Sequence, residues 1–305
     1  MRLGVLAAAM AMVVIPALGA HAEDQRGTLT IAGTERSFVL HVPPGAEAKP
    51  LPLVIALHGA GGTGADFAAE TKFDPAADAA GMMVVYPDGM VAPAKRGTWN
   101  ARFCCGPAAA QDRDDVGFIG ALIEALAKQH QIDRKRIYAT GMSNGGIFAF
   151  RLASLRPQWF AAVAGVSAAI AGVARDGKAY IFDPPAEPVP VMLIHGRQDE
   201  LILYDGGSSP SLKFSNHWKN SVADSLSFWA AADDCPVEPK TADYAAGRLT
   251  LIDYQGCKKG SEVLLWTIAD GDHSWPAPDV PFPGPDGPRS AAAEILAFFA
   301  AHARE

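Results

Sequence analysis

A chain of 305 residues with 26 Lys and Arg against 33 Asp and Glu has a formal net charge of −7 and no basic cluster beyond short pairs such as Lys258-Lys259. That balance excludes nucleic acid as the expected partner and points to a solvated acidic surface. The four cysteines, Cys104, Cys105, Cys235 and Cys257, lack the spacing of structural zinc sites, and the length suits one large α/β domain as well as two small ones.

Residues 1–22 carry a single positive charge at Arg2, an apolar run over residues 3–18 and the sequence Ala20-His21-Ala22. This reads as a secretory signal peptide with a small-residue cleavage site, too short and too interrupted by Pro16 for a spanning helix. The expectation is therefore an exported protein, secreted or periplasmic, with residues 23–305 as one catalytic domain and no membrane association once the leader is removed. Such a setting permits disulfides. Four cysteines allow three pairings. A bridge between Cys235 and Cys257 would remove about 3 kcal/mol of denatured-state entropy and leave Cys104 and Cys105 as an adjacent disulfide or as thiols.

Alternation over residues 28–43 reads as an antiparallel hairpin at a sheet edge. The near-continuous apolar run at residues 51–57 then suits a strand covered on both faces. It ends in His58-Gly59-Ala60-Gly61-Gly62-Thr63-Gly64, a turn without the lysine or spacing of a phosphate loop. A helix is expected over residues 66–80, a buried strand over 82–86 and a helix over 114–129, whose Val116, Ile119, Ile123 and Leu126 share a face. Strands follow at residues 137–140, 160–166 and 189–194. The polar, Gly- and Ser-rich region 201–221 is either a lid or an unstructured connection. A helix over 221–232, a strand pair at 248–254 and 262–268, and a helix over 290–302 complete the chain. Alternating strands and helices predict a mostly parallel central sheet with helices on both faces and an antiparallel N-terminal edge.

Gly141-Met142-Ser143-Asn144-Gly145 lies where the period changes from strand to helix, the setting that gives a G-x-S-x-G match its meaning. Glycines on either side leave room for a sharp turn, and Ser143 is displayed at the positive end of the following helix. A serine hydroxyl needs a base and a group to orient that base. Of eight histidines, His273 alone follows the last strand in a Gly- and Asp-rich loop, whereas His58 and His195 read as packing residues. Asp199 follows a strand and ranks ahead of Asp205, Asp270 and Asp272 as the acid; its bland reading is a helix cap. The order Ser143, Asp199, His273 is that of the α/β-hydrolase triad. Backbone N–H groups of Asn144 and of Gly59 or Ala60, Ala60 being preferred, would form the oxyanion hole. No metal or cofactor is required.

The segments LHGAGG, VVYPDG, TWN followed by CCG, DDVGFI, IYATGMSNGG, VMLIHGRQDELILYDGG, AADDC, YQGC and HSWP resemble secreted esterases of the polyhydroxybutyrate depolymerase and feruloyl or acetylxylan esterase type, carbohydrate esterase family 1. The resemblance implies Ser143, Asp199 and His273 as the triad of a serine carboxylic ester hydrolase working through an acyl-enzyme. Asp272 stands where that family usually has glycine, and WPAP replaces WPG. The expected substrate is a carbohydrate-linked feruloyl or acetyl ester of plant xylan, with a polyhydroxyalkanoate-type polyester as the alternative and a serine peptidase less favoured. A binding module that has lost its chemistry is the rival outside that class. Trp99 and Trp275 fall in segments placed around the cleft and are expected either to hold substrate or to pack internally.

Overall fold

The apolar run at residues 51–57 forms strand Leu51–Leu57, buried at every position. Its side chains part alternately into two cores, Leu51, Leu53, Ile55 and Leu57 into one and Val54 and Ala56 into the other. Helices Asp115–Gln129, Asn144–Leu155 and Val222–Ala232 cover the first face. Helices Gly64–Thr71, Phe73–Ala80 and Ala291–Ala300 cover the second. A strand walled on both sides has no use for alternating polar residues, which is why it reads as a continuous apolar run. The computed structural model describes residues 24–31, 33–46, 49–91, 97–174, 176–210 and 218–305, so the expected leader at residues 1–22 lies outside the described residues.

Ten strands form the main sheet in the order Gln25–Ile31, Thr34–His41, Met83–Pro87, Leu51–Leu57, Ile132–Met142, Ala162–Val166, Val191–Gly196, Val263–Ile268, Leu249–Tyr254 and Lys240–Tyr244. Every pairing from Met83–Pro87 across to Val263–Ile268 is parallel. The pairings at both edges are antiparallel. Parallel strands deliver all their carboxyl ends to one edge, so the loops beginning at His58, Ser143, Arg197 and Ala269 emerge together.

Several boundaries differ from those read in the sequence. The helix expected over residues 66–80 is two helices, broken where Lys72 adopts φ 50° and ψ 42°; its N–H closes the first helix on the Ala68 carbonyl. The strand before Ser143 is longer than expected, because Ile132–Met142 starts with a mostly polar, partly exposed stretch. Strand Lys240–Tyr244 extends the far edge beyond the expected pair. Both ends of the expected loop 201–221 are in part ordered. Gly207–Ser208 and Trp218–Lys219 pair with each other, and Ala171–Val173 and Ala179–Ile181 complete a second sheet of four strands. Residues 211–217, which include His217, lie outside the described residues.

Cys235 is bonded to Cys257, and Cys104 to Cys105. The first bridge ties the end of helix Val222–Ala232, itself started by a reciprocal cap between Ser221 and Asp224, to the turn after Leu249–Tyr254. A loop of that length stabilises the fold by about 3 kcal/mol. Among the described residues no helix is long and apolar enough to cross a membrane.

Candidate active site

Ser143 occupies the junction between strand Ile132–Met142 and helix Asn144–Leu155 at φ 54° and ψ −122°, a backbone conformation a serine adopts only when its surroundings compel it. The compulsion comes from close approach on both sides. A β-carbon on Gly141 would lie 2.6 Å from the Gly145 carbonyl carbon, and one on Gly145 would lie 2.2 Å from the Leu57 oxygen. Space, not a positive φ, is therefore what demands glycine at these two positions; the strained angle belongs to the serine. Ser143 N–H is spent on the Val166 carbonyl at 2.9 Å. Asn144, the first residue of the helix, has an N–H with no partner inside the helix and sits at its positive end.

His273 reaches the serine from the opposite side. Its Nε2 lies 2.9 Å from Ser143 Oγ and its Nδ1 lies 2.7 Å from Asp199 Oδ2. The carboxylate can only accept, so Nδ1 carries the proton and Nε2 presents a lone pair to the hydroxyl. Asp199 is 3% exposed, and its Oδ1 accepts backbone N–H groups of Leu201 and Ile202, both at 2.8 Å. Burial alone would raise this carboxyl, but the donors from His195 and His273 hold it well below the usual carboxylate range. The loops carrying acid and base are tied to each other: Gln198 N–H donates to the Gly271 carbonyl at 2.8 Å, and Arg197 N–H to the Ile268 carbonyl at 2.9 Å.

The turn after Leu57 is braced by His58. Its Nε2 accepts the Gly89 N–H at 2.9 Å, which fixes the proton on Nδ1, and Nδ1 donates to the Gly59 carbonyl at 2.7 Å. Burial pushes this imidazole down from its ordinary value, in keeping with a neutral ring. The Gly59 carbonyl also accepts the Gly62 N–H at 3.1 Å. Because the two polar groups of a trans peptide point in opposite directions, holding the Gly59 oxygen inside the turn aims the Ala60 N–H outward. Gly59 and Ala60 line the same cavity as Ser143 and His273.

That cavity has a volume of about 330 Å³. Its apolar wall comes from Phe67, Met142, Leu201, Ile202 and the Cys104–Cys105 disulfide, and its polar groups include Asp66, Glu70 and Lys219. The Asn144 side chain fastens the disulfide segment to the serine helix, with Oδ1 accepting the Trp99 N–H at 2.7 Å and Nδ2 donating to the Trp99 and Cys104 carbonyls, each at 3.1 Å. Lys219 is 3% exposed, and burial pushes its amine down to about 8.

Trp99 and Trp275, expected either to hold substrate or to pack internally, are both buried and neither lines the cavity. Trp99 is fully buried, stacked on Phe148 at 5.3 Å, and donates Nε1–H to the His58 carbonyl at 3.0 Å. Trp275 packs edge-on against Phe67 at 5.5 Å, so it lies behind a cavity residue and not in the wall. Their large apolar rings gain more from full burial than from a half-wet cleft. Among the rival acids, Asp270 pairs with Arg248 at 3.0 Å, Asp272 accepts from Ser274 Oγ, and Asp205 is exposed. Sequence reasoning missed the contact of His195 with Asp199, the clamp made by the Asn144 side chain and the burial of Lys219. No periodic signal marks any of them.

Residues 36–204 match the family model described as esterase PHB depolymerase. The chain belongs to that family. This esterase, a carboxylic ester hydrolase, is 30% identical over 273 residues to a nocardial relative named as an esterase (NocK, Nocardia uniformis subsp. tsuyamanensis), covering 83% of this chain and 74% of the relative. It is 30% identical over 244 residues to feruloyl esterase B of Piromyces equi, where the match takes in 78% of this chain but only 42% of that longer protein. The acetyl xylan esterase of Aspergillus awamori superposes with a TM-score of 0.57 at 15% identity, over 87% of this chain and 93% of its own, a likeness of fold. The α/β-hydrolase architecture is thus shared well beyond recognisable sequence.

Proposed function

We propose that this esterase cleaves carboxylic esters through an acyl-enzyme on Ser143. As the Ser143 oxygen attacks the ester carbonyl, His273 Nε2 takes its proton, and Asp199 stabilises the imidazolium through Nδ1–H. The N–H groups of Asn144 and Ala60 receive the charge that develops on the carbonyl oxygen, each such donor contributing roughly 3 kcal/mol in the transition state. Collapse breaks the bond to the alcohol, which leaves with the proton from Nε2. Water, deprotonated by the same nitrogen, then releases the acid and restores Ser143. The observation that carries the reading is the His273 ring, within hydrogen-bond distance of Ser143 Oγ on one side and Asp199 on the other.

The favoured substrate is a feruloyl or acetyl ester of plant polysaccharide. Relatives named feruloyl esterase support this, as does a largely apolar cavity of about 330 Å³ beside Ser143, a volume that admits one aromatic acyl group. A polyhydroxyalkanoate-type ester is the second reading, supported by the name of the family model. Export is supported by the leader-like residues 1–22 and by the Cys235–Cys257 bridge, which an oxidising compartment would preserve. The test compares wild type with Ser143→Ala on p-nitrophenyl acetate, methyl ferulate, acetylated xylan and polyhydroxybutyrate. Turnover by wild type alone is expected, with methyl ferulate or acetylated xylan ahead of the polyester. Equal rates in the two proteins on every ester would leave a binding module as the better reading.

A further inference from the structure

His195 sits in strand Val191–Gly196, 2% exposed, and no pattern in the sequence marks it for a role beyond packing. Its Nε2 lies 2.8 Å from the Ile202 carbonyl oxygen and 3.3 Å from Asp199 Oδ2. A carbonyl oxygen only accepts, so Nε2 carries a proton, and the same N–H is shared with the carboxylate. Asp199 therefore receives hydrogen bonds from two histidines on one oxygen and from two backbone N–H groups on the other. His273 faces Ser143 Oγ and the cavity, whereas His195 is enclosed by the Asp199–Ile202 turn it supports.

We propose that His195 is a positioning residue for ester hydrolysis: its shared Nε2–H pins the Asp199–Ile202 turn and draws off part of the carboxylate charge that would otherwise act on His273. The proposal rests on the triad reading given above. In keeping with it, the Asp199 carboxyl is held low in part by the His195 donor. The electrostatic consequence has a definite sign. With the His195 donor gone, more of the negative charge on Oδ2 faces His273, the imidazolium is favoured, and the base is lost to protonation at a higher pH.

Among the described residues, the other charged or titratable groups around the pair are these. Tyr204 stands edge-on to the His195 ring at 6.0 Å, and its hydroxyl pairs with Thr267 Oγ1 at 2.7 Å. The Arg197 guanidinium lies on the Tyr204 ring, 4.4 Å from its centroid. Asp66, Glu70 and Lys219 share the cavity with His273, and Asp272 precedes it in the chain. All are retained in the variants below, so a change between variants reads the His195 donor alone.

The experiment measures kcat/KM against pH on p-nitrophenyl acetate for wild type, His195→Phe, His195→Asn and His195→Gln, with folding checked by circular dichroism. Glutamine can place an N–H where Nε2 stands; asparagine, one methylene shorter, cannot, and phenylalanine has none. The Phe and Asn variants should lose about tenfold in kcat/KM, and their acid limb should move up by roughly half a pH unit or more, while Gln keeps the wild-type limb. Should the Phe variant not fold, the contrast between Asn and Gln carries the same test. A fall in rate with an unmoved acid limb, or a Gln variant that behaves like Asn, would overturn the proposal and leave His195 as packing only. Ser143→Ala as active as wild type would instead sink the triad reading itself.

Discussion

Changing Asp199 to Asn tests the site at the carboxylate that orients His273. In the Asp199→Asn variant the amide oxygen has to stay where Oδ1 is, because two backbone N–H groups point at it from 2.8 Å. The amide nitrogen then replaces Oδ2 and aims a donor at His273 Nδ1, 2.7 Å away. Two donors cannot face each other, so the ring proton moves to Nε2 and the lone pair meant for Ser143 is gone. Loss of the correct tautomer costs about 10⁴ in kcat, or roughly 5.5 kcal/mol at 1.36 kcal/mol per decade. The cavity is untouched, so KM on p-nitrophenyl acetate should change little. Steady-state rates on that ester, taken alongside a melting curve to confirm folding, provide the assay. A variant within tenfold of wild type would refute the assignment of Asp199 as the orienting acid.

Gly145→Ala should lower kcat/KM by roughly a hundredfold on the same ester: its β-carbon would fall 2.2 Å from the Leu57 oxygen and 2.5 Å from the His58 oxygen, and relieving both contacts moves the serine helix by about 1 Å. Wild-type activity in that variant would contradict the close approach. Asp233 is fully buried, accepts from Ser261 Oγ and from the Val189 N–H, and burial pushes its carboxyl up to about 6. A raised carboxyl contributes its stability at low pH and loses it as pH rises through the folded value. Wild type should therefore lose roughly 3 kcal/mol relative to Asp233→Asn between about pH 4 and about pH 6, measured by urea unfolding; a difference independent of pH would count against it.

The sequence makes the sheet interior legible because strands covered on both faces have no polar positions, as at Leu51–Leu57, or almost none, as at Val191–Gly196. The order Ser143, Asp199, His273 follows from the same fact, since parallel strands end at one edge and each residue comes just after such an end. Contacts made by turning back are not legible. His195 touches Asp199 only because the chain reverses directly after the strand. The break at Lys72 does leave a mark, since Pro75 falls inside the expected helix and takes a place in the first turn of the second one. Strands of two or three residues, such as Gly207–Ser208 and Ala171–Val173, are too short to show a period. Residue type misleads as well. Tryptophan suits a cleft and a core equally, and what separates the two at Trp99 is a hydrogen bond to the His58 carbonyl across 41 positions of chain.

Covalent trapping reaches the central claim most directly. Incubation with diethyl p-nitrophenyl phosphate, followed by peptide mass spectrometry, should place one diethylphosphoryl group on Ser143, with labelling slowed by orders of magnitude in His273→Ala. An active esterase that is labelled on another residue, or labelled equally fast without His273, would contradict the account.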